Sequence, residues 1–268
     1  MNFGCILSSY DARDYKLGAA ATSGELPEEY SCPNKMPVKN QKSVSSCVAH
    51  AVSSILEYHS IPHQKLSTNF IYGIQKELFN RDGKGMILRD ACKIAANYGD
   101  MLLDDCPGNT EVPACHETAS KAFKDASKVE RASAYRILKY FSCPKAEDIK
   151  HALYNYGPVL AAMKWYNTYK VSKDGVLTVD QSGTYGNHAI VVYGYNKDGF
   201  LCQNSWGTSW GNKGKFILPY SVKFNEARGF VDCDDVGELD IPNTNGIFDL
   251  LYKALNAVVN FIRKILMK

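Results

Sequence analysis

The stretch Pro37–Val52, "PVKNQKSVSSCVAHAV", decides the fold. A polar, turn-forming run ends in Ser45 and Ser46, Cys47 follows, and an apolar pattern of helical period begins. Val48, Ala51, Val52 and Ile55 fall at three- and four-residue steps, which predicts a helix over 46–58 capped by Ser45 or Ser46. Backbone N–H groups converge on the first turn of a helix and the dipole there favours an anion, so a thiol at that point is biased toward thiolate. Alone, that leaves four roles open for Cys47: packing, half of a disulfide, a metal ligand or a nucleophile.

Outward from this helix, residues 1–25 lack any helical period and contain the small, flexible run "GAAATSGEL"; they read as an extended leader. Further helices are predicted over 67–78, over 88–98 with Gly99 as the terminating glycine, and over 146–157. After Pro158 the character changes. "VLAAMKW", "HAIVVYGYN", "FLCQNSW" and "GKFILP" are short apolar runs punctuated by Gly, Asn and Asp, the pattern of a mostly antiparallel sheet. Helices first and strands second give an α+β chain of two lobes.

Composition narrows the function classes. A formal charge of +3 over 268 residues gives no concentrated basic face for nucleic acid. No run is long and apolar enough to span a membrane, and "MNFGCILSSYDARDYKLG" has no basic segment followed by a long apolar one, so no secretory signal is read. The default location is then the cytoplasm, or a virion or host cell. The nine cysteines include no C-x-x-C pair, which argues against a zinc ribbon or a thioredoxin-type site. Cys106 and Cys115 flank a Pro/Gly/Asn loop and could pair; the alternative is that most thiols are reduced. No cofactor or metal is implied.

A nucleophilic thiol needs a base, a group to orient the base, and donors for the oxyanion. His50, three residues after Cys47, reads as a packed or hydrogen-bonded structural residue. The i,i+4 pair His59 and His63 is interrupted by Pro62, and His116 and His151 read as solvated. His188 opens the apolar run "HAIVVYGY", where a side chain is held rigidly yet faces a cleft. Asn204, sixteen residues later in "QNSWGTSWGNKG", can accept from one imidazole N–H and turn the other nitrogen to a thiol, with Trp206 shielding the bond. Gln41 can give a side-chain N–H to an oxyanion together with the Cys47 backbone N–H.

The order Gln41, Cys47, His188, Asn204, with "VKNQ", "GPV" and "NSWG" around them, resembles the papain/cathepsin family of cysteine peptidases over about residues 26–218. The resemblance implies the papain-like two-lobed fold: a helical left lobe carrying Cys47, an antiparallel β right lobe carrying His188 and Asn204, and a cleft for an extended peptide between them. It implies that "DGKGMILRDACK" holds the loop that pairs with substrate, with Gly85 at the closest approach, and that Ala162 and Ala189 line the dominant pocket. "LRD" in that loop suggests the bacterial and viral branch. Several family features are altered. Val44 stands where a half-cystine is usual, Val48 replaces a tryptophan, Ser182 stands where another disulfide would begin, and Asn187 replaces an acidic neighbour of the histidine. Residues 1–25 are too short for the family's long inhibitory pro-region, though their position lets them lie over the cleft.

The expected organisation is a leader (1–25), a peptidase domain (26–243) and a C-terminal amphipathic helix (244–268). In the last segment Asp249, Lys253, Asn256, Asn260 and Lys264 form one polar stripe on an otherwise apolar helix, suited to packing on protein, self or oligomer, or to lying on an anionic membrane surface. The expected activity is a cysteine endopeptidase acting on peptide or protein. Its rivals are an amidase of cell-wall peptides and an assembly protein in which this helix is the active part. "GTSWG" satisfies G-x-S-x-G, but the run after it reads as loop and strand, without the helix a serine elbow needs.

Overall fold

The computed structural model describes residues 3–11, 14–17, 25–33 and 36–232. The C-terminal segment read as an amphipathic helix lies outside the described residues. The central element is helix α1 (Cys47–His59), whose residues Cys47 to Glu57 are all buried. One side meets the other helices and the other side meets the sheet, so this helix has no solvated face. It ends at Ser60, whose N–H still reaches Leu56 O at 3.0 Å, and Pro62 prevents continuation. Ser46 occupies the N-cap position but makes no side-chain cap bond; its hydroxyl instead contacts Thr110 Oγ1 at 2.7 Å and His50 Nδ1 at 3.2 Å. The capping expectation therefore fails, because burial commits that hydroxyl to a lateral network.

The helix expected over 67–78 is divided into α2 (Thr68–Gly73) and α3 (Gln75–Phe79). The Gly73 carbonyl is diverted to the His116 ring, 2.8 Å away. A Cβ at Gly73 would sit 2.3 Å from Cys115 O, so α2 and α5 (Ala114–Phe123) meet there at backbone contact. Strand β3 (Met86–Ile87) leads into α4 (Leu88–Asn97), which ends before Gly99 at φ +78° as expected. Helices α5 and α6 (Ala126–Ser133) were not anticipated. The buried residues of α5 are Cys115, Ala119 and Ala122, a stripe of small side chains that stands out little in hydropathy. His116 and His151 also differ from expectation: His116 is half-buried on the Gly73 carbonyl and His151 is buried.

Helix α7 (Ala146–Tyr156) ends at Gly157 and hands over to the sheet. Among the described residues the large sheet has the order β10-β9-β8-β5-β11-β4, with β2 also pairing β8; its ranges are β2 (Tyr30–Ser31), β4 (Lys139–Ser142), β5 (Val159–Tyr166), β8 (Tyr185–Asn196), β9 (Gly199–Gln203), β10 (Lys215–Leu218) and β11 (Glu226–Val231). All of these pairings are antiparallel. The register sets Ala162 opposite Ala189, Met163 opposite His188, and Glu226 opposite Ala162. Leu160, Ala162, Ala189 and Val191 share one core with α1, and their small or branched side chains let the helix come close to the sheet. Short strands β6 (Lys170–Val171) and β7 (Leu177–Thr178) form a separate hairpin, and β1 (Cys5–Ile6) pairs in parallel with β3.

Candidate active site

Helix α1 sets Cys47 against strand β8. The sulfur receives backbone N–H groups from Ala189, Gly4 and Val48 and from Cys47 itself. Ala189 directly follows His188, so the thiol is anchored on the strand that carries the imidazole. His188 Nε2 lies 2.8 Å from Asn204 Oδ1, while His188 Nδ1 is buried with no hydrogen-bond partner. Since an amide oxygen only accepts, Nε2 carries the proton in the neutral ring and Nδ1 holds the free lone pair. Asn204 is fixed in turn: its N–H donates to Gly214 O at 2.9 Å, and Oδ1 also accepts from Ser205 N–H at 2.7 Å. Trp206 stacks on the imidazole at 4.7 Å between centroids and 24° between planes, covering it as expected. Trp165 is core, touching His188, Trp206, Trp210 and Phe216.

His188 was expected at the open end of a strand. It is the fourth residue of β8 and is fully buried, because Phe3, Trp165 and Trp206 close around the ring. That burial governs the electrostatics. It pushes His188 down to about 4 in spite of the Asn204 bond, and pushes the Cys47 thiol up in spite of the N–H groups on its sulfur. In the covered site burial thus works against the charged form of both partners.

Gln41 is buried beside this pair. Its Oε1 accepts from Ser205 Oγ at 2.6 Å and its Nε2 donates to Val44 O at 2.8 Å. The turn Gln41–Ser46 is closed by Val44 N–H to Gln41 O and Ser46 N–H to Val44 O, so hydrogen bonds hold the loop where Val44 replaces the usual half-cystine. The eight described cysteines are all free thiols, Cys106 and Cys115 included. His50 Nδ1 donates to Ser46 O at 2.9 Å, and burial pushes the ring down to about 4, as suits a structural histidine. Ala162 and Ala189 are buried in the core between sheet and α1. "GTSWG" lies in the turn from β9 to β10 and runs into strand, not helix. Among the described residues no cluster could hold a metal ion.

The leader crosses this centre. Phe3 lies edge-on to His188, 6.0 Å between centroids, over Gly186, where a Cβ would come within 2.3 Å of the Phe3 ring. Gly4 gives its N–H to Cys47 and its carbonyl to Met86 N–H at 2.7 Å. Gly85, at φ +113°, leaves room for it: a Cβ there would stand 2.7 Å from Gly4 O. Beyond β1, Ser8 N–H donates to Glu226 Oε2 at 2.8 Å, and Asp14 Oδ2 receives Arg89 at 2.7 Å and Arg228 at 2.9 Å. Tyr15 O then accepts Ser142 N–H at 2.7 Å. Asp14, Glu226 and Arg228 were not singled out in sequence, and Arg89 entered only as the middle residue of "LRD". They come from three distant segments, and no local pattern links them.

Residues 26–228 match the family described as papain family cysteine protease. Cathepsin B-like cysteine proteinase 3 of Caenorhabditis elegans is 33% identical over 143 residues, covering 50% of this chain and 35% of that protein, so this chain spans about a third of that relative. An uncharacterised peptidase C1-like protein of Acanthamoeba polyphaga mimivirus is 24% identical over 266 residues, covering 84% of this chain and 83% of that one. Among solved structures, xylellain, a cysteine protease from Xylella fastidiosa, superposes with a TM-score of 0.73 at 21% identity, over 86% of this chain and 96% of that one.

Proposed function

The chain belongs to the papain family of cysteine proteases, and from that premise we propose that it hydrolyses peptide bonds with Cys47 as nucleophile and His188 as the proton carrier. The observation that carries this reading is the imidazole itself. Nε2 is pinned on Asn204, Nδ1 is left unpartnered, and the next residue's N–H lies on the Cys47 sulfur. In the cycle, Nδ1 takes the thiol proton and the sulfur bonds to the peptide carbonyl carbon. The carbonyl oxygen gains the negative charge, met by the Cys47 N–H and a Gln41 side-chain N–H. Collapse breaks the C–N bond, and the imidazolium returns its proton to the leaving amine. Water, deprotonated by His188, then cleaves the thioester and restores the thiol. Asn204 keeps the ring oriented throughout.

The leader acts on the same reading as a plug. It sets an N–H, not a carbonyl carbon, against the sulfur, so it cannot be attacked in this pose. It also removes the water that would stabilise a thiolate–imidazolium pair. The test is mass spectrometry after exposure to a peptidyl epoxide, together with cleavage of a denatured protein substrate. A single adduct on Cys47, absent in His188→Ala, is expected. Equal labelling of several thiols, or labelling unchanged by His188→Ala, refutes the mechanism.

A further inference from the structure

Asp14 of the leader is bound by a site the peptidase chemistry does not use. Arg89, from the first turn of α4, and Arg228, from β11, reach from opposite lobes to one carboxylate oxygen at 2.7 and 2.9 Å. Both are nine-tenths or more buried, with 9% and 4% of their surface exposed. Each also keeps a buried nitrogen without a partner, Arg89 Nε and Arg228 Nη1. Evacuating two guanidinium groups from water is costly, and the cost is offset only when carboxylates meet them.

The charges facing this point nearly cancel without Asp14, leaving one positive charge over. Glu226 neutralises one arginine through Arg228, at 3.0 Å. Arg81 and Asp90, 3.7 Å apart, cancel each other. Burial pushes the Cys92 thiol and the Tyr140 hydroxyl up, so both stay neutral. Asp14 supplies the remaining negative charge. Take the leader away and the site has two guanidiniums against one carboxylate, with the Nη2 of each arginine facing the point that Asp14 Oδ2 left.

That space adjoins the track of the leader along β3 and the edge of β11. Arg89 follows β3, the strand that pairs with the leader, by two residues, and its N–H donates to Ser8 Oγ at 3.1 Å. Glu226 and Arg228 stand on β11 opposite Ala162 and Leu160, the residues of β5 that face the helical lobe beside Ala189 and His188. We propose that the Arg89–Arg228 pair is a specificity site which binds an acidic side chain of the substrate peptide, at one fixed distance from the scissile bond, and that Asp14 occupies it as a stand-in while the leader is in place. The selectivity follows from what each occupant leaves behind. A glutamate completes the ion set, a glutamine leaves a buried positive charge uncompensated, and a lysine adds to it.

The proposal rests on the peptidase reading only for the nature of the ligand, and a binding assay separates the two. The full chain carrying Cys47→Ala and Asp14→Ala is titrated, by fluorescence anisotropy, with labelled alanine-based octapeptides bearing Glu, Gln or Lys at each position in turn. At one position Glu should bind at least about tenfold tighter than Gln, the factor expected for a charge-assisted hydrogen bond. Lys there should bind weakest. Arg89→Gln should erase the Glu preference, and Arg89→Lys, which keeps the charge without the fork, should retain part of it. The Glu-to-Gln comparison is made on one protein, so it stands whether or not the arginine variants fold. Equal binding of Glu and Gln peptides at every position, a preference for Lys, or no binding of any peptide overturns the proposal. Absence of cleavage by the Cys47-intact chain, with the Glu preference present, would instead remove the peptidase reading alone.

Discussion

Gly4→Ala tests the leader's seating with a single methyl group. An added Cβ would fall 1.9 Å from Ser45 O, 2.3 Å from Ser45 C and 2.7 Å from Ser45 Cα. All three are backbone atoms of the turn that presents Cys47, so no side chain can swing aside to accept the methyl. Leader or turn must move, and the leader has less to lose. Its hold here is two hydrogen bonds from Gly4 and the Phe3 contact, whereas the turn is tied to Gln41, Ser205 and α1. Overpacking of this kind costs ~1–3 kcal/mol, which raises the unseated population by a factor of about 5 to 150. When the leader opens and closes quickly compared with alkylation, the epoxide labelling rate at Cys47 scales with that population. The assay is the second-order labelling rate by mass spectrometry, on parent and Gly4→Ala, with Tm measured in parallel. A rise of about tenfold, with labelling still dependent on His188, is expected for ~1.4 kcal/mol. An unchanged rate would refute the picture of a leader in backbone contact with the Cys47 turn.

Acid should loosen the same leader. The Arg228 and Arg89 side chains hold Asp14 below its ordinary 3.8 against the desolvation that raises it, so the stabilisation is fully present above pH 3.8 and is lost as the pH falls through the lowered folded value. Pepsin cutting within the leader, followed against pH and normalised to cutting of an unstructured peptide, should accelerate below about pH 4, and Asp14→Asn should cut at a raised rate without that pH step. Trp206→Ala uncovers one face of His188 and should move its titration, read by NMR of the ring proton, up from about 4 toward 6.5, because water returns to the charged form. A titration left near 4 would show that Trp206 is not what desolvates the ring.

The local chemistry was readable because short-range rules govern it. Cys47 starts a helix since a polar turn runs into an apolar period of 3.6 there. The β lobe was visible from short apolar runs cut by Gly and Asn. The link from His188 to Asn204 was visible because the two lie sixteen residues apart, on β8 and directly after its partner β9. Where neighbours far along the chain decide, the reading failed or fell silent. Ser46 spends its hydroxyl on Thr110 and His50, α2 and α3 separate where His116 takes the Gly73 carbonyl, and His188 loses its exposure to Phe3.

Sequence alone thus singled out Cys47, His188 and Asn204 as candidates for nucleophile, base and orienting amide, for these are residue types whose chemistry and order along the chain restrict them to few roles. Tertiary structure alone decided the state in which they are held. A buried charge depends on every group that surrounds it, and here those groups arrive from the leader, α4, β5 and β11. Only folding brings Gly4 onto the Cys47 sulfur and closes Arg89 and Arg228 on a single carboxylate oxygen of Asp14.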